Sequence, residues 1–288
     1  MASWKNATGA LDRGATLRGI LRPAEVAEQA NLRRDARVAE PLRPFVERYW
    51  SVRWHLTGQP PFRSEVLSHP SVNVSVEQGT HPRFGHELPA VLLHGVVTRR
   101  FSVDLVGAGR VTAAKFRPGG FAALTGVLPG RDSVDPLGRQ LGLSAGELLS
   151  AVLSAEDDDD RAAVLDAALA PTASEPPGAY LDLLGLVGAM IDDRDLVRVD
   201  QVAALGAMSV RSLQRLFATY VGVSPKAVLA RYRLQDAAAA IDAGEVHDLA
   251  GLAASLGWFD QAHFSRDFRS VVGTTPSAYL RRAREPLG

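Results

Sequence analysis

Two short stretches in the last third of the chain hold side chains suited to reading a hydrogen-bonding surface. In VRSLQRLFATY (210–220) these are Arg211, Gln214 and Arg215; in QAHFSRDFRSVV (261–272) they are Gln261, His263, Ser265 and Arg266. An arginine can offer two N–H donors to O6 and N7 of guanine, and a glutamine can match N6 and N7 of adenine, so these residue types point to base edges in a major groove. The other side of each stretch is apolar. Leu213, Leu216, Phe217 and Tyr220 follow one helical stripe, and Phe264, Phe268, Val271 and Val272 form a second. On one isolated helix such polar residues would most simply solvate an amphipathic surface, but two copies favour a reading role.

The elements that must position them repeat. At an offset of 51 residues the chain matches itself at Ala203/Ala254, Leu205/Leu256, Gly206/Gly257, Arg215/Arg266, Phe217/Phe268, Gly222/Gly273 and Pro225/Pro276. In each copy a short apolar helix, VDQVAAL or DLAGLAASL, is expected to end at a left-handed glycine, Gly206 or Gly257. Ser209 or Asp260 then caps a second helix. This predicts helix, tight turn, helix, twice. Between the copies, SPKAVLARYRLQDAAAAIDAG (224–244) reads as one long spacer helix with Pro225 in its first turn. The shared Phe-x4-Gly-x2-Pro spacing is assigned to folding, while Ser209, Lys226 and Thr274 are expected to meet phosphates.

These residues resemble the DNA-binding domain of the AraC/XylS family of bacterial transcription regulators. The resemblance covers Ala179 to Gly288 and is carried by LAASLGWFDQAHFSRDFRSVVGTTPSAYLR (252–281): Gly257-Trp258, Asp260-Gln261, Phe264, Ser265, Arg266, Phe268, Gly273, Pro276 and Tyr279. The first unit is looser, with Ala207-Met208 before its capping serine. By motif position the resemblance implies base-edge roles for Arg211, Gln214 and Arg215 in one helix and for Gln261, His263, Ser265 and Arg266 in the other. It implies double-stranded DNA as partner and leaves room for a small-molecule effector, a homodimer and, for an activator, RNA polymerase.

The whole chain of 288 residues has no net charge and is 46% apolar, which fits one large or two ordinary folded domains. It lacks cysteine, which excludes a disulfide framework, a thiolate nucleophile and thiolate-bound metal. Residues 196–288 hold 11 basic and 8 acidic groups, so the C-terminal part is modestly positive and permits a polyanionic partner. No apolar h-region opens the chain and no apolar run approaches the ~20 residues of a membrane helix, so a cytoplasmic protein with no membrane partner is expected. Strand-like alternation, as in SVNVSVEQG (71–79) and RRFSVDLVGAGRVTAAKF (99–116), gives way to helical texture from about Ala122 to Ala170. The stretch PTASEPPG (171–178) reads as a linker across which few contacts pass.

The expected fold is α+β: a small N-terminal β-sheet or cupin-like barrel with following helices, then an all-α domain of two helix-turn-helix units. Residues 1–18 are expected to be a flexible N-terminus, 19–170 a sensing or dimerisation domain, 171–178 the linker and 179–288 the DNA-binding domain. Segments 19–25, 45–54 and 115–124 resemble an uncharacterised domain that often precedes such modules, which names no ligand.

Other chemistry in the N-terminal part is thinner. His55, His69, His81, His86 and His94 lack closed metal-ligand spacing, so no metal or other cofactor is expected. Phe45, Tyr49, Trp50, Trp54 and Phe62 could line an apolar pocket but suit a core better. Arg117-Pro118-Gly119-Gly120 could hold an anion and is read as a tight turn with a surface arginine; Gly107-Ala108-Gly109 is read as a hairpin turn. No nucleophile elbow, P-loop or H-E-x-x-H motif occurs, so the chain is expected not to be an enzyme. The alternatives to a DNA-binding regulator are an adaptor that binds proteins through its amphipathic helix pairs, or a small-molecule enzyme domain fused to the DNA-binding module.

Overall fold

A computed structural model describes residues 19–35 and 37–284; the stretch 1–18, expected to be flexible, lies outside the described residues. The N-terminal part opens with helix α1 (Pro23–Gln29) and continues through strands β1 (Ala30–Asp35), β2 (Val46–Leu56), β3 (Phe62–Val66), β4 (Asn73–Gly79), β5 (Ala90–His94), β6 (Phe101–Leu105) and β7 (Gly107–Phe116). After α2 (Gly120–Thr125) comes the short β8 (Val134–Pro136), then α3 (Ala145–Ser154) and α4 (Asp158–Leu169). Six strands form one antiparallel sheet in the order β1-β2-β7-β4-β5-β8, and β3 pairs with β6 in a second.

Burial follows from this layering. One face of the large sheet gives Tyr49, Val74, Val76, Leu93 and Phe116 to a core shared with Leu148 and Val152 of α3 and Leu165 of α4. The other face gives Trp54, Leu56, Val111 and Ala113 to a core closed by Leu105 of β6. Helix α4 starts where the acidic run predicts: Asp157 accepts a hydrogen bond from Asp160 N at 2.8 Å, and three further aspartates fill its first turn.

Three local expectations are corrected. The alternating SVNVSVEQG suggested a half-buried strand, yet Ser75 and Glu77 are each 1% exposed: Arg83 pairs with Glu77 at 2.9 Å, and Phe84 and Phe101 pack against His94, which lies on the same face and meets both. Gly107-Ala108-Gly109 is no hairpin turn. It begins β7, where the chain leaves the small sheet for the large one, and a Cβ on Gly109 would sit 2.2 Å from the Trp54 ring. Arg117 is buried rather than on the surface: its Nε donates to Arg43 O at 2.8 Å and its backbone N–H to Phe45 O. The aromatic residues are largely core, with Phe45, Tyr49 and Trp54 distributed over three separate clusters.

The C-terminal part is helical throughout: α5 (Gly178–Asp192), α6 (Val199–Leu205), α7 (Val210–Tyr220), α8 (Pro225–Asp242), α9 (Leu249–Ser255), α10 (Gln261–Val272) and α11 (Pro276–Ala283). Helix α8 has 18 residues, about 27 Å at 1.5 Å per residue, and is capped by Ser224 with Pro225 at its start, as expected of the spacer.

The expectation that few contacts cross the linker fails. Phe45 stacks on Tyr180 with ring centroids 5.9 Å apart, and the Tyr180 hydroxyl donates to Pro44 O at 2.6 Å. Leu21 and Leu67 belong to the same buried cluster as Leu234, Phe264 and Phe268. Arg231, 5% exposed on the spacer helix, donates to Arg99 O and Val97 O at 3.1 and 3.0 Å, and Gln235 beside it donates to Leu67 O. Buried backbone carbonyls need donors, and here the C-terminal part supplies them to loops of the sheet.

Candidate nucleic-acid interface

Two helix-turn-helix units are present. In the first, α6 leads into α7, whose N-cap Ser209 accepts from Ser212 N at 3.1 Å and lies 3.0 Å from Ser212 Oγ. Leu213 and Phe217 are buried, which turns Arg211, Gln214 and Arg215 to solvent. In the second, α9 leads into α10, capped by Asp260, which accepts from His263 N at 2.6 Å. Phe264, Phe268 and Val272 are buried, Gln261, His263 and Arg266 are exposed, and Ser265 is half-buried.

Arg211, Arg215 and Arg266 make no ion pair among the described residues, so their guanidinium groups are available to a partner. His263 differs: its Nε2 lies 3.3 Å from Asp267 Oδ2, the atom that also accepts from Trp258 Nε1 at 2.9 Å. Unlike those arginines, the His263 imidazole thus already has an internal partner. Lys226 is exposed in the first turn of α8, and Thr274 is half-buried one residue before Thr275, the cap of α11.

The turn of the second unit is the more firmly braced. Arg233 of the spacer helix lies over the Trp258 ring at 3.8 Å and donates from Nε to Leu256 O at 2.6 Å. Burial pushes its guanidinium below the ordinary value, against the opposing pull of Asp267. The first unit departs from expectation here. Gly206 has φ −82°, and the left-handed residue is Ala207 at φ +48°, whereas in the second unit Gly257 takes that role at φ +76°.

The second helix of each unit is held at its C-terminal end by the sheet-containing part. Gly119 of that part lies against Tyr220, which ends α7 and packs at 5.7 Å from Tyr180 of α5: a Cβ on Gly119 would sit 3.0 Å from the Tyr220 Cβ. At the end of α10 the backbone N–H of Arg100 donates to Val271 O at 2.8 Å. The N-terminal ends, where Arg211 and Gln261 lie, stay exposed. Sequence reasoning missed these anchors because they come from loops whose residues carry no periodic signal.

In the N-terminal part the histidines are dispersed. His94 Nε2 lies 2.9 Å from Ser75 Oγ and 3.1 Å from Glu77 Oε1, while His81 meets Thr80, His86 meets Val134 O and His69 packs against the Tyr232 ring. Ser75, His94 and Glu77 are not a nucleophile relay, since both oxygens approach the same imidazole nitrogen and a relay needs one on each. A cleft of 860 Å³ lies between α1 and the large sheet, with Trp54, Arg53, His55 and Arg110 in its wall.

Residues 202–282 match the family described as a helix-turn-helix domain, and residues 36–132 match a domain of unknown function. Over 81 residues, 28% of this chain and 27% of the relative, the chain is 33% identical to an uncharacterized HTH-type transcriptional regulator of Haemophilus influenzae. Over 93 residues, 32% of this chain and 29% of the relative, it is 28% identical to the XylDLEGF operon transcriptional activator of Pseudomonas putida. The chain thus spans about three tenths of the length of the curated relatives it matches. Among solved structures, ToxT from Vibrio cholerae is 11% identical, with 89% of this chain and 99% of that one covered at a TM-score of 0.43.

Proposed function

With a C-terminal domain of the AraC/XylS helix-turn-helix type as premise, we propose that the chain is a sequence-specific DNA-binding transcription regulator of the cytoplasm and not an enzyme. One observation carries the reading: two capped helices, each the second of a helix-turn-helix, expose glutamine and arginines that make no ion pair among the described residues. Arg211, Gln214 and Arg215 read one major-groove segment, and Gln261, Ser265 and Arg266, with His263 when released from Asp267, read another about one helical turn away, roughly 34 Å. Lys226, Thr274 and Ser209 lie near helix starts and serve the phosphates. Because the two units differ in sequence, one chain recognises an asymmetric site.

Residues 19–170 respond to a small-molecule effector, support a homodimer, or both, and an activator of this design would also touch RNA polymerase. Their packing against the ends of α7 and α10 favours this reading, since a ligand that shifts the sheet also shifts the reading helices. The test is a titration of the full chain with duplex DNA over a range of salt. Release of counterions from phosphates makes a DNA binder lose affinity steeply as salt rises. No binding to any duplex at low salt would instead favour an adaptor that binds proteins.

A further inference from the structure

The two helix-turn-helix units differ in length by one residue. From the N-cap of the first helix, Arg198 or Asp248, to the left-handed residue, Ala207 or Gly257, they correspond at an offset of 50. Their turn hydrogen bonds agree: Met208 N donates to Ala203 O, and Trp258 N to Ala253 O. From the reading-helix caps, Ser209 and Asp260, to Pro225 and Pro276 the offset is 51. The inserted residue is Phe259.

Its side chain is 94% exposed, and no other large apolar side chain among the described residues exceeds 56%. The backbone on either side imposes that exposure. Trp258 before it is buried beneath Arg233 and bonded to Asp267, and Asp260 after it caps α10. Gly257 cannot yield, because a Cβ there would lie 2.6 Å from Val197 Cγ1. A rigid turn therefore presents a bare phenyl ring immediately ahead of the reading helix. On that same helix Arg266 and Arg269 are exposed and without an ion pair among the described residues, which favours a polyanion over a protein as the surface that covers the ring.

Given the DNA-binding reading above, on which this rests, we infer that Phe259 is a duplex contact of the second unit, covering an apolar group at the groove edge. Duplex DNA offers two such groups, the thymine methyl and the face of the deoxyribose. The first unit has no counterpart, since Met208 directly precedes its cap and is partly buried.

The experiment uses the full chain and duplexes that the wild type selects from a random-sequence pool, with Phe259→Ala and Phe259→Tyr compared at several salt concentrations. Phe259→Ala should keep the wild-type melting temperature and lose about tenfold in affinity, the scale of an apolar side chain's burial. The slope of log affinity against log salt should stay unchanged, because no phosphate charge is involved, and Phe259→Tyr should retain most of the affinity. Deoxyuridine in place of thymine in the half-site of α10 separates the two groups. A methyl contact weakens the wild type alone, and a deoxyribose contact leaves the difference between wild type and Phe259→Ala intact. Phe259→Ala binding as tightly as wild type overturns the inference, also where it binds normally but loses transcription, which would assign the ring to a protein. A wild type that binds no duplex overturns the DNA-binding reading together with this inference.

Discussion

Arg215 and Arg266 occupy equivalent places on the two reading helices, and neither is held by an acid among the described residues. Replacing either with Ala should leave the melting temperature near wild type and relax base preference in a different half of the site, at about 1–3 kcal/mol where the guanidinium meets a guanine edge. Lys226→Ala should weaken all sequences alike and lower the salt slope by about one. Site selection and melting on each variant decide the matter: lost stability with unchanged preference would make the arginines structural. A second residue-scale prediction concerns acid. Burial alone would raise the Glu47 carboxyl, but Lys115, 2.8 Å away, and Arg48 outweigh it and hold the group at about 2 rather than 4.5. A carboxyl depressed in the folded state contributes stability above its unfolded pKa and loses it as pH falls toward the folded one. The urea midpoint should therefore drop between about pH 4.5 and 2, and Glu47→Gln, weaker at neutral pH, should show a flatter dependence over that window. Equal slopes in both proteins would remove Glu47 from the account.

At the scale of elements, the two turns predict opposite signs for one kind of change. Gly257→Ala forces a Cβ into left-handed backbone and against Val197, and should cost about 1–2 kcal/mol or more. Ala207→Gly relieves a left-handed alanine and should stabilise by up to about 1 kcal/mol, both read from denaturant midpoints. The sequence made the reading helices legible because a buried stripe and a capping Ser209 or Asp260 are local signals. It misled about the turns. Identities at Gly206/Gly257 and Leu205/Leu256 favour a single offset of 51, while the fold pairs Gly206 with Leu256 and Ala207 with Gly257. An inserted residue between two helices leaves both stripes intact, so periodicity carries no trace of it. The strand and helix texture of residues 71–170 was likewise legible, but the burial of Ser75 and Glu77 depends on Arg83, Phe84 and Phe101 folding onto that face, which no local pattern encodes.

For the whole molecule, the contacts across residues 171–178 change what a fragment should do. A C-terminal piece cut at residue 179 would expose Tyr180, stacked on Phe45 in the intact chain, and would leave the Arg231 guanidinium without its carbonyl partners. The fragment should melt well below the full chain and bind an apolar dye, and the full chain should unfold in one calorimetric transition. Phe45→Ala should cost about 3–5 kcal/mol and speed amide exchange in α5, although the substituted residue lies outside the helical part. Two well-separated transitions would restore the picture of independent halves. Arg231 also bears on modular engineering. A chimaera that grafts this DNA-binding part onto a foreign sensor would carry a buried cation whose acceptors, Val97 O and Arg99 O, stayed behind with the donor protein. Transplants should thus work only when the loop 95–100 travels with them, or when position 231 is first made apolar.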